Sequence, residues 1–319
     1  MEKRIEQNVS RGRLMAGLGV MFIGALLAGA LLAPHLFNGL LYLGRSISWL
    51  EGLRYVEFEK VANRCVIGAL LVAVWPGLKL TGLNSWRKLG LRRSAGWKRH
   101  LLLGLGLSIA SMVILYIVGW SMGAYYVRET FKRGFAGKML TYFVGAILVG
   151  LIEETFFRGA IFGMLRKGFG LVAGAMLASV LFSAVHFASP EPTVGVVYGH
   201  WDAGLRMLPH MFSEVDFRWE FGFMAVTLFL MGLTLCFFYA YFENIYLAMG
   251  LHAGWVWGMK VGDYFIERAR YPHLVLFGPS MTVAKSVVAI LLMSLFMMVA
   301  IGLLVRRRQR GTNDGVAAA

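Results

Sequence analysis

The sequence predicts an all-α fold: a polytopic membrane helix bundle with about eight transmembrane helices. Three observations carry this. Of 319 residues, 58% are hydrophobic and 15% charged, with mean hydropathy +0.65, whereas soluble domains carry about 25% charged residues. The apolar residues gather in segments close to the roughly 20 residues that cross a bilayer. Glycine is abundant at 39 residues, as in membrane helices, where small residues let backbones approach. A soluble domain, a disordered chain and a disulfide scaffold are excluded. The two cysteines, Cys65 and Cys236, sit in apolar stretches and read as packed thiols.

The first span, about 14–43, follows Arg11 and Arg13. Its apolar run is too long for a signal-peptide core, so it reads as an uncleaved anchor, tilted and turning near Pro34. The spans about 62–83, 101–126, 139–165 and 168–188 follow. Segment 189–220 is mixed, with Pro190, Pro192 and Pro209 and the acids Glu191, Asp202, Glu214 and Asp216 before Glu220. It suits a short interfacial helix. Spans about 221–242, 245–264 and 282–305 complete the set, and 311–319 reads as a disordered tail. No repeat divides the chain, so 1–319 is expected to be one integral-membrane domain.

The formal charge is +15. The basic residues lie in short runs beside apolar segments, the pattern of headgroup contact and topology setting. The partner this implies is the lipid bilayer; no nucleic-acid motif is present. Eight spans put both termini on one side. The compact runs 87–99 and Arg306–Arg310 favour the cytoplasm for that side. No retention signal is visible, which favours a bacterial inner (cell) membrane.

Most acids lie in loops, but Glu153 and Glu154 sit within a long apolar run. A carboxylate at the bilayer centre costs about 2.5–3.5 kcal/mol on insertion scales. Arg158 follows Glu154 by four residues, so those two can pair on one helix face. Glu153 is rotated about 100° away and is left without that partner. His186 lies in FSAVHF, four residues after Phe182, and His252 in GLHAGWVWGMK. A lone membrane histidine is ordinarily a hydrogen-bonded packing residue. Glu153 and two histidines on three helices, however, could converge in a polar cavity, where such a set activates water or ligates a metal.

EETFFR and FSAVH match the E-E-x-x-x-R and F-x-x-x-H motifs of the CPBP family of intramembrane endopeptidases, and FENIYLAMGLHAGWVW resembles its third motif. That family includes type II CAAX prenyl endopeptidases and bacteriocin-processing or immunity proteins. The resemblance covers about 100–262, a protease-like core. It implies that Glu153 is the general base, that His186 holds the water with it, and that His252 faces the developing oxyanion. Glu154 and Arg158 would support the site. The family often has Asn or Asp four residues after the third-motif histidine; here Val256 stands there, and the indoles of Trp255 or Trp257 are the candidate substitute donors. The implied substrate is a membrane-associated peptide or protein, with its binding residues undefined. No cofactor is required on this reading. Were a metal present, it would be zinc on Glu153, His186 and His252. Two other readings use the same residues: a catalytically silent immunity or scaffold protein, favoured by Val256, and a proton-coupled transporter, for which no repeated halves are seen.

Overall fold

A computed structural model describes residues 10–83, 85–93, 95–128, 134–188, 197–211, 219–268, 274–277 and 283–317. The chain is an all-α membrane bundle. Its main helices are α1 (Arg11–Ser46), α2 (Phe58–Thr81), α3 (Trp97–Ser121), α4 (Phe135–Phe169), α5 (Leu171–Val185), α6 (Trp219–Phe242), α7 (Tyr246–Phe265) and α8 (Val287–Ala317). Each matches one expected span. Six are long and apolar enough to cross a membrane: α1, α2, α3, α4, α6 and the Val287–Arg310 part of α8. The other two differ for physical reasons. With 15 residues, α5 reaches only about 22 Å against a hydrocarbon core of about 30 Å. Helix α7 has the length but carries His252, Lys260 and Asp263. Helix α8 continues to Ala317, into the segment expected as a tail.

The chain falls into two compact units, residues 1–84 with 184–216, and residues 85–183 with 217–319. In the first unit, α1 pairs with α2. Ser10 caps α1, its Oγ accepting from the Arg13 N–H at 3.3 Å. The turn expected near Pro34 does not form; the helix runs through the proline to Ser46. Proline removes the hydrogen bond to the carbonyl four residues back. That carbonyl, of Ala30, lies so close to Gly204 that a Cβ there would collide with it. In segment 189–220 a short helix forms at Ala203–Met207; Pro190, Glu191, Pro192, Glu214 and Asp216 lie outside the described residues.

The second unit is organised around α7. Gly250, Gly254, Gly258 and Gly262 recur every fourth residue on one face. A Cβ on Gly250 would strike the Leu101 carbonyl, and one on Gly254 the Ser108 hydroxyl, so α3 and α7 touch backbone to backbone. Gly104 on α3 makes the reciprocal approach to the Leu247 carbonyl. On another side of α7, a Cβ at Gly150 of α4 would stand 3.1 Å from the Met249 carbonyl and 3.3 Å from the Ala253 Cβ. Two short strands, β1 (Tyr125–Val127) and β2 (Ile266–Arg268), pair antiparallel just beyond α3 and α7.

Helices α6 and α7 form a hairpin through Glu243, Asn244 and Ile245. Glu243 adopts a left-handed φ of 55°. Asn244 closes the turn: its Oδ1 accepts from the Tyr246 N–H at 3.2 Å and its Nδ2 donates to the Phe242 carbonyl at 2.9 Å. From α8, Arg307 donates to the Tyr241 carbonyl and pairs with Glu243 at 2.8 Å. One arginine of the basic run thus satisfies a carbonyl at the end of α6.

Candidate active site

The site grows from an irregularity in α4. Residues Phe135–Glu154 are α-helical, but Thr155–Phe162 form a π-helical stretch before α-helix resumes at Gly163. Such stretches concentrate at functional sites, because the wider turn changes which residues share a face. Glu153 and Glu154 end the regular part and Arg158 lies within the π part. Gly150, one turn earlier, brings this point of α4 against α7 beside Ala253, next to His252.

Glu154 is wholly buried, Arg158 is 1% exposed and His252 3%. One carboxylate oxygen, Oε1 of Glu154, accepts from Arg158 Nη1 at 2.8 Å and stands 2.7 Å from His252 Nδ1. The pairing of Glu154 with Arg158 that the spacing predicts is therefore present. A carboxylate oxygen facing Nδ1 at that distance requires the proton on Nδ1, which leaves Nε2 as the atom turned to the rest of the site. Burial of three ionisable groups would be costly singly; together they neutralise and bond one another.

Glu153 is in a different position. Its side chain is 30% exposed, and its Oε2 lies 3.8 Å from His252 Nε2. That is too long for a direct hydrogen bond. Oε2 of Glu153, Oε2 of Glu154, and Nε and Nη2 of Arg158 make no hydrogen bond within the described chain. The site therefore presents unused acceptors and donors, capacity that a water or a substrate amide can take up.

Phe182, the first residue of the second motif, is 1% exposed. Its ring covers the Arg158 guanidinium, with Cζ 4.4 Å from the ring centroid, and meets the His252 ring edge-on at 6.2 Å. It packs the pair together and shields it. The sequence flagged Phe182 only by its spacing to His186. His186 itself stands one residue beyond the end of α5, in a turn, with an exposed side chain. It belongs to the other compact unit from Glu153 and His252.

The indoles next to His252 are already engaged. Trp255 Nε1 donates to Ser111 Oγ at 3.2 Å, and Trp257 Nε1 to the Met139 carbonyl at 3.3 Å. Both act in packing rather than as donors toward the site, and Val256 between them is half-buried. Among the described residues, no group of three or more His, Cys, Asp or Glu side chains stands where it could hold a metal ion.

Sequence reasoning passed over the glycine ladder of α7 and Gly150 of α4. The signal was available: glycines at every fourth residue around a membrane histidine mark a face pressed against another helix. It passed over Ser111 too, which carries no signal until α3 and α7 are known to touch.

Residues 135–258 match the family model described as type II CAAX prenyl endopeptidase Rce1-like. The matched stretch holds Glu153, Glu154, Arg158, Phe182, His186 and His252, and falls inside the core of about 100–262 expected from the motifs. Comparison with curated proteins and with solved structures gave no match. The matched stretch is thus similar to the intramembrane endopeptidases that the motifs resemble, and it lies in a chain whose long apolar helices are those of an integral membrane protein.

Proposed function

We propose that the protein hydrolyses a peptide bond of a membrane-associated protein or peptide, with water activated by Glu153 and histidine. The observation that carries this reading is the contrast between two adjacent carboxylates. Glu154 is buried and held by Arg158 and His252, while Glu153 is partly exposed and faces His252 Nε2 across 3.8 Å. A structural ion pair needs only the first. The second is placed where a carboxylate and an imidazole can hold one water between them.

Glu153 takes a proton from that water as its oxygen attacks the carbonyl carbon. The carbonyl electron pair moves onto oxygen, and on the family resemblance the His252 ring faces the resulting oxyanion. Collapse breaks the C–N bond, and the proton on Glu153 passes to the leaving amine. Peptide and water become a carboxylic acid and an amine, which ionise in water, with no other reactant. On the family resemblance, His186 helps hold the water. Glu154 and Arg158 fix the His252 ring, which keeps it preset while charge develops. A purified preparation of the full chain in liposomes, given a membrane-anchored peptide, should release a product with one new carboxylate carrying oxygen from the solvent water. Absence of cleavage across a panel of such peptides would favour the silent reading.

This chemistry needs no metal. Treatment with a chelator should leave turnover unchanged. Loss of activity that added zinc restores would overturn the metal-free mechanism.

The second reading is a catalytically silent immunity or scaffold protein of the same fold, and Val256 is what favours it. Val256 lies one turn beyond His252, on the same face, where Asn or Asp would add a polar group. A missing oxyanion donor costs about 10²–10³ in rate, which slows an enzyme without removing its base. Val256→Asn is expected to fold and to turn over peptide as fast as wild type or faster. Misfolding of Val256→Asn together with an inactive wild type would move the conclusion to the silent reading.

The basic runs favour cytoplasmic termini, and the lack of a retention signal favours the inner membrane of a bacterium. The β1–β2 ladder joins the chain just before position 130 to the chain just before 272. Reporter fusions at 130, 205 and 272 are expected to read as external. Cytoplasmic signals at two of them would reverse this orientation.

A further inference from the structure

A cavity of about 420 Å³ opens at the end of α4 and α7 remote from the acid pair. Lys138 and Glu153 are fifteen residues apart on α4, about 22 Å of helical rise. The cavity therefore lies near the opposite limit of the apolar part of α4, at headgroup depth. Its cations are Arg128, Lys138 and Lys260, and Tyr142 and Tyr264 stand between them. Arg128 is paired with Glu267 at 3.2 Å, and the remaining acid, Asp263, is also engaged. Among the described residues, neither lysine has a carboxylate within salt-bridge distance. The Lys138 ammonium lies 5.6 Å from the Tyr264 ring centroid and the Lys260 ammonium 5.7 Å from that of Tyr142.

Two ammonium groups, each set over a tyrosine ring beside an open cavity, form a receptor for a phosphate. Each ammonium offers three donors and the rings fix the long stems. The ladder adds a second feature. Side chains alternate across a strand. Tyr125, Val127 and Ile266 line an apolar cleft of about 280 Å³ together with Val113, Ile117 and Trp120 of α3. Glu267, paired with Tyr126 in the ladder, faces the charged cavity instead. The ladder is thus a shared wall between a cationic cavity and an apolar cleft. Free phosphate would use only the first; a phospholipid uses both.

We infer that this cavity binds the phosphate of an anionic phospholipid headgroup, with an acyl chain of the same lipid in the cleft beside β1 and β2. The test uses the purified full chain in neutral detergent, with bound lipid counted by native mass spectrometry and stability followed by thermal unfolding. Phosphatidylglycerol is expected to be retained and to raise the unfolding temperature. Diacylglycerol, glycerophosphoglycerol and inorganic phosphate at the same concentration are expected to do neither. Lys138→Gln with Lys260→Gln should weaken retention about tenfold, while Lys138→Arg with Lys260→Arg should keep it. Val127→Asp, which puts a charge in the cleft wall and leaves both lysines, should also lose the lipid. That variant decides the matter should the glutamine pair fail to fold. Equal retention by wild type and a folded glutamine pair, or by Val127→Asp, would overturn the inference. So would retention of diacylglycerol as strong as that of phosphatidylglycerol, or saturation by inorganic phosphate that the lipid does not displace.

Discussion

Glu153→Gln is expected to lower peptide hydrolysis by about 10²–10⁴-fold, the usual contribution of a general base, with normal expression and insertion. The amide keeps the shape of the carboxylate and its ability to hydrogen-bond, but it takes no proton from water. Its environment makes the variant readily tolerated. The side chain is 30% exposed, and its approach to His252 Nε2, at 3.8 Å, is longer than a hydrogen bond, so no direct hydrogen bond is broken. The measurement is peptide turnover in a membrane preparation whose protein content is equalised by quantitative blotting. Full activity of Glu153→Gln at normal expression would remove Glu153 from the mechanism and leave the scaffold reading in front.

Arg158→Met and Glu154→Gln are expected to act on the fold. Removing one member of a buried pair costs about 3–5 kcal/mol, because it strands the other charge. Here the stranding is close to complete, since both side chains are at most 1% exposed. Methionine replaces the stem of Arg158 but leaves the Glu154 carboxylate with only His252. Lower yield and a lower unfolding temperature in detergent are the expected readouts. The double variant, Glu154→Gln with Arg158→Met, should recover part of the loss, because no unpaired charge remains and Gln can still accept from His252 Nδ1. Additive losses in the double variant would mean that the two groups do not act as a pair.

How much of this was legible in the sequence depended on whether the signal was local. The membrane bundle was legible, because segment length and apolar composition are properties of each stretch by itself. So was the pairing of Glu154 with Arg158, since it depends only on spacing along one helix, and the π turn after Glu154 did not break it. The contact of His252 with Glu154 was not legible. It depends on how deeply α7 sits against α3 and α4, which the glycine contacts at Gly150, Gly250 and Gly254 decide. The family resemblance assigned His252 to the oxyanion and spacing left Glu154 to Arg158; the fold gives His252 two faces, one for each glutamate. The run of α1 through Pro34 was also hidden, since the Ala30 carbonyl meets Gly204, far away in sequence. The end of α5 at Val185, which leaves His186 in a turn, has no marker in FSAVHF, an apolar run that reads as continuous helix.

The central claim is that Glu153 and His252 act together on one water, and a double-variant cycle on the rate tests it most directly. His252→Asn puts an amide N–H where Nδ1 stands, so Glu154 keeps its donor while Nε2 is removed. Wild type, Glu153→Gln, His252→Asn and the double variant would be assayed in one membrane preparation at equal folded protein. The account predicts that each single variant loses most of the activity and that the double variant is scarcely slower than either, as groups working as a unit behave. Independent losses that multiply in the double variant, or a His252→Asn protein as active as wild type, would contradict it.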